Sequence, residues 1–438
     1  MGEAMTTATV SYPELPTTLA ETGLSAEFLV DLTLKILYVQ GPRTGEQLTE
    51  FIKLAYPFLD DQLLSMQQRR LVEVRGTQGA SRSGYTFDLT NEGRARAREA
   101  LASSQYVGPA PVPLAQYREW VARQTIQQVH VTRRQVEDAF NWLVLNQDTL
   151  DEVGPAINSG RSLFLFGESG NGKTAIAETI ARMLGGAMYV PYAVEIEGQI
   201  MVIYDQLYHR AVGSEGVSGA ADGLWREEAN HDRRWVLVAR PVVLTGGELT
   251  LNQLDLQWDP DTKVYQAPFQ VKANGGVLIL DDFGRQRVPP RDLLNRWIVP
   301  LEKRVDFLTL HTGTKFPVPF DTLLVIATNI DPKQLVEEAF LRRIHYKIRV
   351  ESPTVEQYER IFERYCKDKG VEYNAAAVRQ LYQNFYHAHS IAPRGCHPRD
   401  VIDHLLDIAK YLETAPTLSQ DLVERAGRSY FLDFPTAV

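Results

Sequence analysis

The sequence predicts an α/β protein: a three-layer αβα domain built on a parallel sheet, preceded by a small domain of helices and a hairpin and followed by an α-helical lid. Three observations carry this reading. The apolar run Leu163-Phe164-Leu165-Phe166 leads at once into Gly167-Glu168-Ser169-Gly170-Asn171-Gly172-Lys173-Thr174 and then into helical sequence from Ala175. A second apolar run, Gly276 to Leu280, ends in Asp281-Asp282. From about 163 to 350, short apolar runs alternate with helical text, the pattern of parallel strands joined by helices.

A chain of 438 residues is long enough for two or three domains, and an apolar fraction of 44% supports real cores. The net charge of −9 argues against a general affinity for nucleic acid or anionic membrane. With two cysteines, Cys366 and Cys396, no disulfide framework is expected, and a reducing cytoplasm fits. Met1 to Thr18 lacks a basic stretch followed by an apolar core, so no signal peptide is expected. No uncharged apolar run reaches the roughly 18 residues of a membrane span, so membrane insertion is not expected.

The first domain is placed at residues 1–106. Helical periodicity runs through Phe28, Leu29, Leu32, Ile36 and Leu37 and stops at Gly41-Pro42; Thr44 caps a short helix, and Pro57 opens a third. Leu71 to Val74 and Tyr85 to Leu89 read as two strands around a Gly/Ser-rich turn, and Thr90 caps another helix. Three helices followed by a hairpin resemble a winged helix-turn-helix. Such domains bind DNA in many proteins and protein in many others. Residues 1–100 carry ten Lys/Arg against thirteen Asp/Glu, and the would-be recognition helix begins with Asp60-Asp61, which phosphates would repel. Arg69, Arg70, Arg75 and Arg82 around the wing offset this locally. Protein docking is therefore preferred over DNA. Residues 107–113, rich in proline, read as a linker, with the α/β domain at 114–350 and the helical lid and C-terminal tail at 351–438. Its five strands are placed near 163–166, 187–194, 277–281, 322–328 and 347–350.

A strand, a GxxxxGKT loop and a helix form the context in which glycines let backbone NH groups converge on phosphate oxygens, helped by the positive end of the helix dipole. Gly167 to Ala175 are thus candidate ATP-binding residues, with Lys173 directed to the β- and γ-phosphates and Thr174 to Mg²⁺. A strand of a parallel sheet delivers its C-terminal residues to the ligand edge. Asp281 is the candidate magnesium residue, and Asp282 the residue that activates water. Taken alone, the two carboxylates would pass for a solvated turn; after a phosphate loop they do not. Leu323 to Thr328 is another buried run, and Asn329 after it is placed to meet the γ-phosphate or the water. Arg342 and Arg343, in Ala339-Phe340-Leu341-Arg342-Arg343-Ile344, and Arg399, in His397-Pro398-Arg399-Asp400, are candidates for neutralising phosphate charge, although isolated arginines more often pair on a surface.

The order of these motifs resembles an AAA+ ATPase over residues 114–410. The GESGNGKT loop resembles Walker A, LILDD Walker B, ATN ending at Asn329 sensor 1, AFLRRI the arginine-finger segment with Arg343 the better match, and HPRD sensor 2 through Arg399. The resemblance implies an AAA+ P-loop domain with ATP and Mg²⁺ bound between subunits of a ring, usually a hexamer. The family usually has Glu after the Walker B Asp; Asp282 is one methylene shorter, which implies slower or differently arranged hydrolysis. The chain also resembles bacterial predicted ATPases with chaperone activity related to the MoxR-like group. The segment Leu254 to Tyr265 reads as a hairpin turning at Asp259 to Lys263, where that group carries an insert. This implies work on a protein client. Ile196 to Ile200 and Phe283 to Arg291 are candidate pore-facing loops. Asn141 to Val144 read as part of an amphipathic helix, with an adenine pocket as the other reading. His387, His389, Cys396 and His397 match no common zinc spacing. Three functional readings follow: a ring-forming, ATP-driven protein remodeller; a DNA-associated regulator whose assembly ATP switches; and a slow-hydrolysing, ATP-gated scaffold.

Overall fold

The computed structural model describes residues 12–77, 81–212, 231–335, 338–387 and 391–431. His389 lies outside them.

Local signals start the N-terminal helices. Ser25 caps Ala26–Gln40, Thr44 forms a capping box with Gln47 at the head of Gly45–Ile52, and Pro57 stands in the first turn of Tyr56–Gln68. Strands Val72–Thr77 and Tyr85–Leu89 pair antiparallel with a bulge between Val74 and Gly76, and Arg43–Thr44 adds a short third strand. Helix Asn91–Ser103, capped by Thr90, closes the unit. Leu29, Leu32, Ile36, Leu48, Ile52, Leu63 and Phe87 form its core.

The central sheet has five parallel strands in the spatial order Val242–Thr245, Val277–Leu280, Leu323–Thr328, Ser162–Phe166 and Tyr346–Arg349. Alternate residues of each strand enter different cores. Leu163, Leu165, Ile279 and Val325 pack with Ile176 and Ile180 on one face; Phe164, Leu278, Leu280, Leu324 and Ile326 pack with Phe283 and Trp297 on the other. Helices therefore cover both sides, and the domain is a three-layer αβα sandwich. Burial on both faces explains why these strands read as unbroken apolar runs.

One strand differs from the expected position. Ala187–Pro191 is not the second strand of the sheet; it pairs antiparallel with Trp235–Ala239. All five of its residues are buried, so it mimics a central strand, but its core is a separate one shared with Trp120, Val194, Met201, Leu237 and Tyr265. The true second strand, Val242–Thr245, lies at the sheet edge with Val242 and Leu244 exposed.

The hairpin expected around Asp259 to Lys263 is present: Gln257–Asp259 pairs with Val264–Gln266, and Lys263 takes a left-handed φ of 53°. It joins Gln199–Val202, Ala193–Ile196 and Val112–Pro113 in a second five-stranded sheet. Residues 107–113 are thus not a free spacer. Val112 and Pro113 pair with Val194 and Glu195, and the Ala110 NH donates to Ile52 O at 2.8 Å. Arg234, 1% exposed, ties the same region together by donating to the carbonyls of Thr22 (2.8 Å) and Pro111 (3.2 Å) and to the Asp232 carboxylate (2.7 Å).

Helices Val355–Lys369, Ala375–Leu381, His397–Tyr411 and Gln420–Tyr430 form a C-terminal unit around Tyr358, Phe362, Val378, Ile402 and Leu405. Among the described residues, no helix is long and apolar enough to cross a membrane.

Candidate functional site

Strand Ser162–Phe166 ends in a loop whose backbone only glycine tolerates at key points. Gly167 has φ 142°, and a Cβ there would lie 2.2 Å from Val350 O; Gly170 has φ 84°, and a Cβ would lie 2.5 Å from Cys396 Sγ. The loop leads into helix Lys173–Met183, whose free N-terminal NH groups and dipole favour an anion. Lys173 is 8% exposed, and its Nζ donates to Gly167 O (2.9 Å) and Glu168 O (2.8 Å). Burial lowers its pKa from the ordinary lysine value, against the opposite pull of Asp281, Asp282 and Glu168. An ammonium carries three protons, so this geometry commits two and leaves one for an incoming acceptor.

The parallel register brings the other strand ends to the same edge. Leu280 pairs with both Thr245 and Ile326, and Thr328 pairs with Phe166. Thr174 Oγ1 consequently donates to Asp281 Oδ2 at 2.7 Å, and the Asp282 NH donates to Asp281 Oδ1 at 2.9 Å. Asp282 itself is exposed and left-handed, with φ 47°. Aspartate accepts that backbone more readily than most side chains. The Phe283 NH donates to Ala327 O, and Thr328 Oγ1 donates to Phe283 O at 2.6 Å, so the acidic turn is fastened to the strand that carries Asn329. Among the described residues, Asn329 Oδ1 is buried without a hydrogen-bond partner, an arrangement that costs free energy unless a ligand or water supplies a donor.

A hydroxyl beside one carboxylate is an oxygen donor set suited to magnesium, which keeps several waters and takes its remaining ligands from phosphate. Among the described residues, no group of three or more His, Cys, Asp or Glu could hold a metal by itself, His387, Cys396 and His397 included. His397 Nδ1 instead lies 3.0 Å from the Tyr386 hydroxyl. Thr174 and Asp281 therefore fit Mg²⁺ as a shared ligand with a nucleotide.

The helical lid closes onto the phosphate loop. The Cys396 NH donates to Gly170 O (2.8 Å), the Gly395 NH to Asn171 Oδ1 (3.2 Å), and Asn171 Nδ2 to Ser352 Oγ (3.2 Å). Arg399 pairs with Asp400 at 2.8 Å. The arginine beside the loop is Arg394, 3.8 Å from the Glu168 carboxylate. The sequence reading passed over it because HPRD drew attention to the helix rather than to the turn before it. Gln286 was missed too: its Nε2 donates to the carbonyl of Asp281 at 3.2 Å and its Oε1 accepts from the Gly284 NH at 2.7 Å, so it braces the acidic turn. No spacing signals it.

Asn141 to Val144 do not continue a helix. Helix Arg133–Phe140 ends before them, and Val144, Leu145 and Asn146 line a cleft of about 100 Å³ with Asn171, Gln357 and Ile361. Ile196 and Gln199 flank a tight turn, with Glu197 and Gly198 both left-handed. Arg342 and Arg343 lie at the other end of the sheet. Tyr346, three residues after Arg343, pairs with Leu163, near the start of the strand whose end carries the loop. Arg343 Nε is 2.5 Å from Glu302.

Residues 354–429, the helical lid, match a family described as a domain of unknown function, DUF8689. Among curated proteins, none matches the chain. Solved structures similar to it include NtrX from Brucella abortus in complex with ATP, at 16% identity and TM-score 0.40, over 65% of this chain and 57% of that one. Another is the RuvB Holliday junction branch migration motor of Thermotoga maritima, at 13% identity and TM-score 0.37, over 66% of this chain and 71% of that one. The chain thus spans under two thirds of the NtrX chain's length.

Proposed function

We propose that this chain is a magnesium-dependent ATPase of the AAA+ type that assembles into a ring, with a hexamer the expected size, and spends ATP on remodelling a protein client in the cytoplasm. The observation that carries the ATPase reading is the 2.7 Å contact of Thr174 Oγ1 with Asp281 Oδ2, beside a buried Lys173 and at the edge where Asn329 presents an amide oxygen with no partner among the described residues. Loop NH groups from Gly170 to Ala175 would hold the β- and γ-phosphates, with Lys173 Nζ bridging them. Bound magnesium, held by Thr174 and by Asp281 through water, would neutralise the charge on the phosphate oxygens. The Asp282 carboxylate would take a proton from the attacking water while Asn329 Oδ1 accepts its other hydrogen. The water oxygen bonds to the γ-phosphorus, the bond to the β–γ bridging oxygen breaks, and ADP and phosphate leave.

The free cysteines suit a reducing compartment. The inserted hairpin Gln257–Gln266 supports the MoxR-like resemblance and with it a protein client. The DNA reading has less support: Arg69 pairs with Glu27, Arg75 with Asp88 and Arg82 with Asp60, so three of the four wing arginines already face carboxylates. The scaffold reading is favoured by the exposed, left-handed Asp282.

Asp282→Asn separates the readings. It is expected to keep ATP binding and to lose turnover by about 10²-fold or more, the usual worth of a general base. Phosphate release at the wild-type rate in this variant would remove Asp282 from the chemistry. A wild type that binds ATP but releases no phosphate at any protein concentration would favour the scaffold.

A further inference from the structure

The acidic turn is fastened to the strands on both sides of its own. In the sheet order, Val277–Leu280 lies between Val242–Thr245 and Leu323–Thr328. Phe283 ties the turn to the second of these: its NH donates to Ala327 O, its carbonyl accepts from Thr328 Oγ1, and its buried ring meets Phe164 edge-on at 6.3 Å. Gln286, buried inside the turn, ties it to the first. Its Oε1 accepts from the Gly284 NH at 2.7 Å. The amide hydrogens on Nε2 face the carbonyls of Asp281 (3.2 Å), Asp282 (3.4 Å) and Gly246 (3.4 Å). Gly246 directly follows Val242–Thr245, so one side chain spans from the acidic turn to the end of the edge strand. The backbone it encloses is not one a chain adopts freely. Asp282 has φ 47° and Gly284 φ 102°, and a Cβ at Gly284 would lie 2.9 Å from both Ile330 Cδ1 and Leu335 Cδ2. A left-handed aspartate costs free energy and persists only where its surroundings over-determine it. Phe283 on one side and Gln286 on the other do so here.

We infer that Gln286 is a positioning residue for hydrolysis: it holds Asp282 in its left-handed backbone so that the carboxylate meets the attacking water, and it acts through Asp282 rather than on the nucleotide. The inference rests on the ATPase reading above and adds to it a residue that no motif points to. An aspartate carboxylate stands two torsions from its Cα, one fewer than a glutamate's, so its place is set chiefly by the backbone beneath it. Attack geometry is narrow, and a misplacement of about 1 Å costs on the order of 10²-fold in rate. Without the amide, the Gly284 NH loses its acceptor, the turn's carbonyls lose a donor, and Asp282 is released toward the backbone it prefers. Asp281 keeps its own anchors. Its NH donates to Thr245 O at 2.8 Å and its carboxylate accepts from Thr174, so the part of the site that holds nucleotide and metal stays in place.

The test separates turnover from binding in the full-length chain. Gln286→Met keeps the length of the side chain and removes its hydrogen bonds. It is expected to lower turnover by on the order of tenfold to a hundredfold, with ATP affinity, measured by calorimetry with magnesium, unchanged. Gln286→Asn, whose amide is too short to bridge the same groups, serves should the methionine chain be insoluble, and is expected to show the same split. The same change is then made in an Asp282→Glu chain, where the extra torsion lets the carboxylate correct for a displaced backbone. The fold-loss there is expected to be several times smaller, whereas a merely structural brace would give equal losses in both chains. Should Asp282→Glu itself be inactive, the split between turnover and affinity decides. Wild-type turnover in Gln286→Met would overturn the inference, as would a loss of ATP affinity equal to the loss of turnover, or equal fold-losses in the two backgrounds. Absence of ATP binding in the wild type would instead overturn the ATPase reading itself.

Discussion

Lys173→Ala is expected to lower steady-state phosphate release by a factor on the order of 10³, the scale of removing a pre-organised donor from charge developing in a transition state. The site holds three carboxylates near this ammonium, Asp281, Asp282 and Glu168. Without it their repulsion of the triphosphate is offset by one positive charge fewer, and in a partly desolvated cleft that repulsion is far larger than in water. ATP binding is expected to weaken as well. Stability is not: the ammonium is buried with its pKa lowered mainly by desolvation, so the fold bears a cost for keeping it charged. A thermal midpoint at or above the wild-type value, together with lost turnover, is the expected pair of results. Turnover within tenfold of wild type would deny Lys173 its role.

The largest stability effect is expected at Arg234. Removing this guanidinium leaves the Asp232 carboxylate, whose side chain is 4% exposed, without its partner, and strips a donor from the carbonyls of Thr22 and Pro111. Breaking a buried pair from one side typically costs about 3–5 kcal/mol. Arg234→Met is therefore expected to unfold at lower urea and to open the N-terminal unit from the body, seen as proteolysis within residues 104–111. The double change Arg234→Met with Asp232→Leu is expected to recover most of the loss, since replacing both charges by apolar groups removes the stranded carboxylate. A single variant as stable as the double one would contradict the buried-pair account.

Arg234 also marks what the sequence leaves illegible. Asp232-Arg233-Arg234-Trp235 has the look of a surface charge run, and only the folded chain reveals that one of its arginines is enclosed by the N-terminal unit and the Pro-rich segment. The phosphate loop and the acidic strand end were legible because each joins a doubly buried strand, hence an apolar run, to a polar end of fixed type. The second strand of the sheet was not. Val242–Thr245 alternates exposed and buried as an edge strand does, and a more apolar segment upstream outcompeted it. The loop after Phe140 carries no glycine or proline. Its Asn141 carbonyl accepts instead from Arg364 Nη1 of the lid at 2.6 Å, a partner more than two hundred residues away that no local pattern announces. The same limit explains Arg394. HPRD identifies an arginine on a helix, but which arginine reaches the loop depends on how the turn before that helix docks on Gly170, through the Cys396 NH.

Calorimetric titration of ATP into the full-length wild-type chain, with magnesium and again with excess chelator, bears most directly on the central claim that residues 167–174 and Asp281 form one nucleotide site. The expected result is saturable binding near one ATP per chain with magnesium, weakened about tenfold or more when the metal is removed, because Thr174 and Asp281 then hold no cation against the phosphates. No heat of binding in either condition, from protein shown to be folded, would contradict the account.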